Sequence, residues 1–326
     1  MKKIKNTLAV LLVAVMIFSL CSCKAKNEEN TTASAEEATT TAPVTTSAEG
    51  ETGESETAEP TQSQTQTTET VQTSESTEYQ TVTENITSAG QGEVTQTVVP
   101  TGVETITDGS KTVVFPAALR NSQDKYPVIS WANGTGCPTQ LYMKLIEEIA
   151  KAGYIVVADA TVMSGDGAAQ IDSINYIFNK NSDPSSIFSN KVDTAKVGVC
   201  GQSQGGRSCV NAAQKDSRIR ALVSIAGAST ADEARGIGIP CLFLTATNDN
   251  IVKSSDWCLP SYNAVAGRAA YASLKGGNHL SFNSMSGYTI DWFNAYLKND
   301  ANAKAVFSDS GKLANDGAWQ DFKNKN

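Results

Sequence analysis

One serine stands between two glycines in a setting that could do chemistry. Ser203 lies in Gly201-Gln202-Ser203-Gln204-Gly205, directly after the apolar run Val197-Gly198-Val199-Cys200. A strand that turns this tightly into a helix strains the serine backbone and lifts the hydroxyl clear of the sheet, and glycines on either side leave room for the turn. Near neutral pH a serine hydroxyl is a poor nucleophile. It needs a base, ordinarily histidine, and the histidine needs an orienting carboxylate. The chain has one histidine, His279 in Gly276-Gly277-Asn278-His279, so a serine of this kind has one candidate base. The carboxylate is expected between the two in chain order. Asp249 follows the apolar run Cys241-Leu242-Phe243-Leu244 and is the first choice, Asp256 the second, while Asp159 precedes the serine. Taken singly, each has a plainer reading: a polar residue in a Gly-rich turn, a loop-capping Asp, a surface His.

Such chemistry also needs two main-chain N–H groups facing the oxyanion that forms. Gln204, next after the serine, is expected to give one. Thr135, in Asn133-Gly134-Thr135-Gly136-Cys137, is expected to give the other.

The elements that must position these residues follow from hydrophobic pattern. Strands are expected at 111–119, 126–134, 154–160, 196–200, 219–227, 239–249 and 268–277. Helices are expected at 139–152, 168–180, 205–215 and 288–298. Strands that are near-continuous apolar runs, alternating with helices, imply an α/β fold with a mostly parallel sheet covered on both faces. The working residues of such a fold sit where strands end and loops begin.

The N-terminal part has another character. Lys2, Lys3 and Lys5 precede the apolar run Leu8 to Leu20, a core too short for a permanent membrane span. Residues 1–22 therefore read as a secretion signal. Leu20-Cys21-Ser22-Cys23 resembles a bacterial lipobox, which makes Cys23 the lipidated first residue of the mature protein, anchored at the outer face of the cell membrane. Residues 23–95 are rich in Thr, Ser, Glu, Gln and Ala and are expected to form a disordered tether. Residues 24–100 hold fourteen Glu and two Lys, a net of −12, against −8 for the whole chain. The acidity thus belongs to the tether, and a near-neutral remainder disfavours nucleic-acid binding. Residues 96–326 suit one domain, expected to be a monomer.

The segments "KVDTAKVGVCGQSQGG" (191–206), "NDNIV" with "LPSY" (248–262), "LKGGNH" (274–279) and "WFNAYLKND" (292–300) resemble, in order and spacing, the bacterial cutinase and PET-hydrolase branch of the α/β-hydrolases. Dienelactone-hydrolase-like and chlorophyllase-like esterases are similar too. The resemblance covers roughly residues 100–308. It implies an α/β-hydrolase fold, Ser203, Asp249 and His279 as catalytic triad, the amides of Thr135 and Gln204 as oxyanion hole, an ester substrate and no cofactor. Polyester hydrolases carry an aromatic beside the nucleophile or after the next strand, where this chain has Gln202 and Ala228. Gln202, Gly134 and Trp257 are the expected substrate contacts, with Trp257 offering a substitute stacking surface.

Five cysteines follow the lipobox. Cys200, Cys209 and Cys241 are expected in the core. Cys137 and Cys258 are expected to border the site, where a disulfide between them is permitted outside the cell. No Cys, His and carboxylate spacing resembles a metal site, and no phosphate loop or dinucleotide fingerprint occurs. Three functional readings remain open: an esterase on polyester or lipid-like esters, an esterase on acetyl or feruloyl groups of plant polysaccharides, and a non-catalytic surface-binding module. For either esterase the rate is expected to fall below about pH 6, where an imidazole takes up a proton. A rate profile flat down to about pH 4 would exclude His279 as the base.

Overall fold

The computed structural model describes residues 70–72, 78–80 and 99–325. Residues 1–22, Cys23 and the tether lie outside the described residues, apart from two three-residue strands within the tether, β1 (Thr70–Gln72) and β2 (Glu78–Gln80). β2 pairs with β3 (Val99–Thr101) in a separate two-stranded sheet.

The main sheet is built from β1, β4 (Val103–Asp108), β5 (Lys111–Pro116), β6 (Tyr126–Ala132), β7 (Ile155–Asp159), β8 (Val192–Gln202), β9 (Ile219–Ile225), β10 (Cys241–Ala246), β11 (Ala269–Leu274) and β12 (Trp319–Lys325). Their spatial order is β1-β4-β5-β7-β6-β8-β9-β10-β11-β12. The six central strands, β7 through β11, run parallel, and β4, β5 and β12 pair antiparallel at the two sides. This is the α/β-hydrolase fold. Every residue of β7 and of β10 is buried, because helices cover both faces and no strand side is left for water.

Each face has its own core. Cys200 of β8 points to the side covered by α1 (Met143–Lys151) and α5 (Ser286–Leu297). Val197 and Val199 point to the side covered by α2 (Ala168–Ser182), α3 (Gln204–Lys215) and α4 (Cys258–Ala264). Gly198 faces α5, where a Cβ would lie 2.7 Å from Phe293 and 3.1 Å from Leu297. The Phe293 and Leu297 side chains of the helix fill the space that a side chain at 198 would need.

Four elements differ from the sequence-based expectation. β4 and β12 lie toward the sides of the sheet, and β12 presents mostly exposed or half-buried positions after Trp319, so neither has the apolar run of a central strand. The stretch Cys258–Ala264, beyond the Asp249 loop, forms α4, a two-turn helix too short for helical periodicity to register. The expected strand 111–119 stops at Pro116 and continues as a 3-10 turn, Ala117–Arg120.

A buried ion pair joins β5 to β7. Lys111 Nζ donates to Asp159 Oδ2 at 2.7 Å and to Asp172 Oδ2 at 2.6 Å. Asp159 also accepts from Ser110 Oγ and the Thr161 amide, each at 2.7 Å, and from Thr161 Oγ1. Burial pushes the Asp159 carboxyl up, but the bonds from Lys111, Thr161 and Ser110 outweigh it and hold the group at about 2. The folded value lies below the ordinary one, so the stabilisation is present above about pH 4 and is lost as pH falls toward about 2. Lys111→Met should cost about 3 kcal/mol at pH 7, because it strands a buried carboxylate. Urea titrations at pH 7 and pH 3 should show the difference narrowing in acid. Equal midpoints at pH 7 would contradict the pairing.

Candidate active site

β8 ends in a strained turn. Ser203 has φ 60° and ψ −120°, a region that non-glycine residues avoid and that the surroundings must enforce. Its amide donates to Ile225 O at 2.9 Å, and its carbonyl accepts from Arg207 N at 3.2 Å and Ala228 N at 3.1 Å. Helix α3 begins at the next residue and packs against the end of β6. A Cβ on residue 205 would lie 2.0 Å from Ala132 O, so glycine there is a steric requirement.

The loops after β10 and β11 are tied together. Asn248 N donates to Gly277 O and Gly276 N to Thr247 Oγ1, both at 2.9 Å. This brings Asp249 and His279 into contact. Asp249 Oδ1 accepts from the amides of Ile251 at 2.9 Å and Val252 at 2.8 Å, and Oδ2 lies 2.8 Å from His279 Nδ1. The two are almost fully buried, at 5% and 4% exposure. A carboxylate with both oxygens engaged this way is an acceptor, so Nδ1 carries the ring proton and Nε2 is left as a base. The alternative acids lie elsewhere: Asp256 is exposed and bonded to Ser255, and Asp159 belongs to the Lys111 pair.

His279 reaches the elbow through the neighbour of Ser203. Its Nε2 lies 3.1 Å from Gln202 Nε2, which also donates to His279 O at 2.9 Å. Among the described residues no hydrogen bond joins Ser203 Oγ to the imidazole.

The loop after β6 is held rigidly. Asn133 Nδ2 donates to Asp159 O at 2.9 Å and to Thr139 Oγ1 at 3.0 Å, and Asn133 Oδ1 accepts from Trp131 Nε1 at 3.0 Å. The Gly134 amide donates to Tyr142 Oη and the Gly136 amide to Val162 O, both at 3.0 Å. Among the described residues the amide between them, that of Thr135, has no acceptor. The Gln204 amide is one of the first N–H groups of α3, which have no partner within a helix. Asn133 and Tyr142, the residues that set this loop, were missed from sequence.

Two expected substrate contacts are internal instead. Gln202 is 2% exposed and spends its amide on Tyr142 and His279. Gly134 is buried beneath that amide, and a Cβ there would meet Gln202 Oε1 at 2.7 Å and Tyr142 Oη at 2.8 Å. Trp257 is half-buried just before α4, and among the described residues its ring joins no aromatic pair. Among the described residues no group of His, Cys, Asp and Glu could hold a metal ion, and no helix is long and apolar enough to cross a membrane.

The model of the PET hydrolase-like family matches residues 59–315. The chain belongs to this family. A cutinase of Thermobifida alba, est2, is 25% identical over 204 residues, covering 59% of this chain and 65% of the relative. A cutinase of Thermobifida fusca strain YX is 23% identical, with 59% and 65% covered. A bis(hydroxyethyl) terephthalate hydrolase of Streptomyces coelicolor is 21% identical, with 59% and 63% covered. The matches thus span just under two thirds of these relatives' own length.

The expected Cys137–Cys258 disulfide is corrected. All five cysteines of the described residues are buried, and no disulfide joins any two of them. Cys137 packs in the core beneath α1 and Cys258 in the core on the other face of the sheet, and Cys258 Sγ donates to Gly227 O at 3.4 Å. Burial pushes the thiols of Cys209 and Cys258 up to about 12, and those of Cys200 and Cys241 well up too, so little thiolate is available to react. The chain from Lys24 onward should release five titratable thiols in guanidinium and almost none when native. Three thiols after denaturation would restore the disulfide.

Proposed function

We propose that the protein is a serine carboxylesterase anchored by lipid on Cys23 at the outer face of the cell membrane. The observation that carries the reading is the buried Asp249–His279 bond of 2.8 Å beside a serine held at φ 60°. Ser203 Oγ attacks the ester carbonyl carbon, and its proton passes to His279 Nε2. Asp249 stabilises the imidazolium and keeps the ring oriented. The amides of Thr135 and Gln204 receive the oxyanion. The tetrahedral intermediate collapses, His279 returns the proton to the departing alcohol, and an acyl group remains on Ser203. Water, deprotonated by His279, then releases the acid.

An apolar ester fits the surroundings. Among the described residues the large exposed apolar side chains are Leu141, Val162, Met163 and Leu280, at 37–60% exposure. Each is connected to a residue of the site by one or two steps along the chain or through a hydrogen bond. Leu280 follows His279, Leu141 precedes Tyr142, Val162 accepts the Gly136 amide, and Met163 precedes Ser164, which donates to Asn133 O. Polyesters or lipid-like esters, in line with the substrates that the relatives' names imply, are therefore favoured over acyl groups on polysaccharides.

A fluorophosphonate probe should label the wild type and leave Ser203→Ala unlabelled. His279→Ala and Asp249→Asn should each lower kcat for p-nitrophenyl butyrate by about 10⁴-fold, while Gln204→Ala, which keeps the main-chain amide, should lower it far less. Longer p-nitrophenyl esters should outrun acetylated xylan. A folded wild type that resists the probe would favour a binding module instead.

A further inference from the structure

The Gln202 amide is fixed at both ends. Oε1 accepts from Tyr142 Oη at 2.9 Å, and Tyr142 Oη itself accepts the Gly134 amide at 3.0 Å. Nε2 donates to His279 O at 2.9 Å and stands 3.1 Å from His279 Nε2. Turning the amide over would set Oε1 against the His279 carbonyl oxygen, acceptor against acceptor, so this neighbour determines which atom is nitrogen. Asp249 keeps the ring proton on Nδ1. The second N–H of Gln202 therefore falls on the basic lone pair of His279. A neutral imidazole offers one in-plane lone pair. While the amide holds it, the serine hydroxyl cannot.

We propose that Gln202 is a positioning residue that keeps His279 in a resting state, its basic nitrogen occupied by the side-chain amide, and that Ser203 is activated only when the amide leaves Nε2. The idea rests on the serine-esterase reading for its consequence, not for its geometry. The same side chain is held through Tyr142 to the Gly134 amide, so the loop after β6 and the base share one chain of hydrogen bonds. A ligand that displaces that loop would loosen the amide from the ring.

The lone histidine makes the test direct. In the ¹⁵N-labelled full chain one imidazole gives one pair of ring nitrogen resonances. Gln202→Met keeps the side-chain length and removes the donor. Its Nε2 resonance should move downfield, toward that of an unbonded ring nitrogen. Its fluorophosphonate labelling rate should rise about five-fold, which corresponds to one net hydrogen bond of about 1 kcal/mol. Tyr142→Phe leaves Gln202 in place but frees Oε1, and should give the same changes at smaller size; it carries the decision if Gln202→Met does not fold. An Nε2 resonance unmoved in the folded variants, or a labelling rate no higher than wild type, overturns the proposal. A wild type that never labels would reject the esterase reading instead, and the ring resonances would still decide the contact.

Discussion

The carbonyl oxygen of Ala132 occupies the place where residue 205 would carry a Cβ. That contact forces α3 to start hard against the end of β6, and the chain leaving β8 has no room for a relaxed turn. The positive φ of Ser203 follows from it, as does the outward aim of the first amides of α3. The cost of one strained residue, about 1–3 kcal/mol, is set against two buried cores that the sheet and its helices form on either side. A loosely packed sheet could not hold the serine in this conformation.

The remaining parts are held by polar contacts between loops. The Asp249 and His279 loops are bonded to each other before either meets the serine. The loop after β6 hangs on Asn133, which is bonded to the main chain of Asp159, whose carboxylate is in turn fixed by Lys111. Charge, amide and main chain therefore run as one connected set from the side of the sheet to its centre. Removing a member leaves a buried partner unsatisfied, which in such a network costs more than the bond itself is worth.

Much of this was legible in the residues. Apolar runs separated by Gly-rich loops gave the central strands, because strands covered on both faces cannot hide their composition. The pairing of Asp249 with His279 was readable because a chain with a single histidine leaves one candidate and chain order leaves few carboxylates. The edge strands were not readable, since a half-exposed strand such as β12 needs few apolar residues. Nor was the fate of Cys137 and Cys258. Both loops border the site, but sequence does not say on which face of the sheet a side chain from each loop packs. Gln202 was misjudged for a related reason. Its partners come from two separate segments, Tyr142 and His279, and nothing local marks an amide that is used up internally.

Met163 is the most exposed of the apolar side chains linked to the site, at 60%. Its thioether lies open to peroxide, and a sulfoxide there would put a strong dipole on an exposed apolar side chain. The buried imidazole and carboxylate would be untouched. Under the esterase function proposed above, an aged, oxidised sample would lose its hold on bulky apolar esters while small soluble ones were still turned over, a selective ageing that a single small-substrate assay would not register.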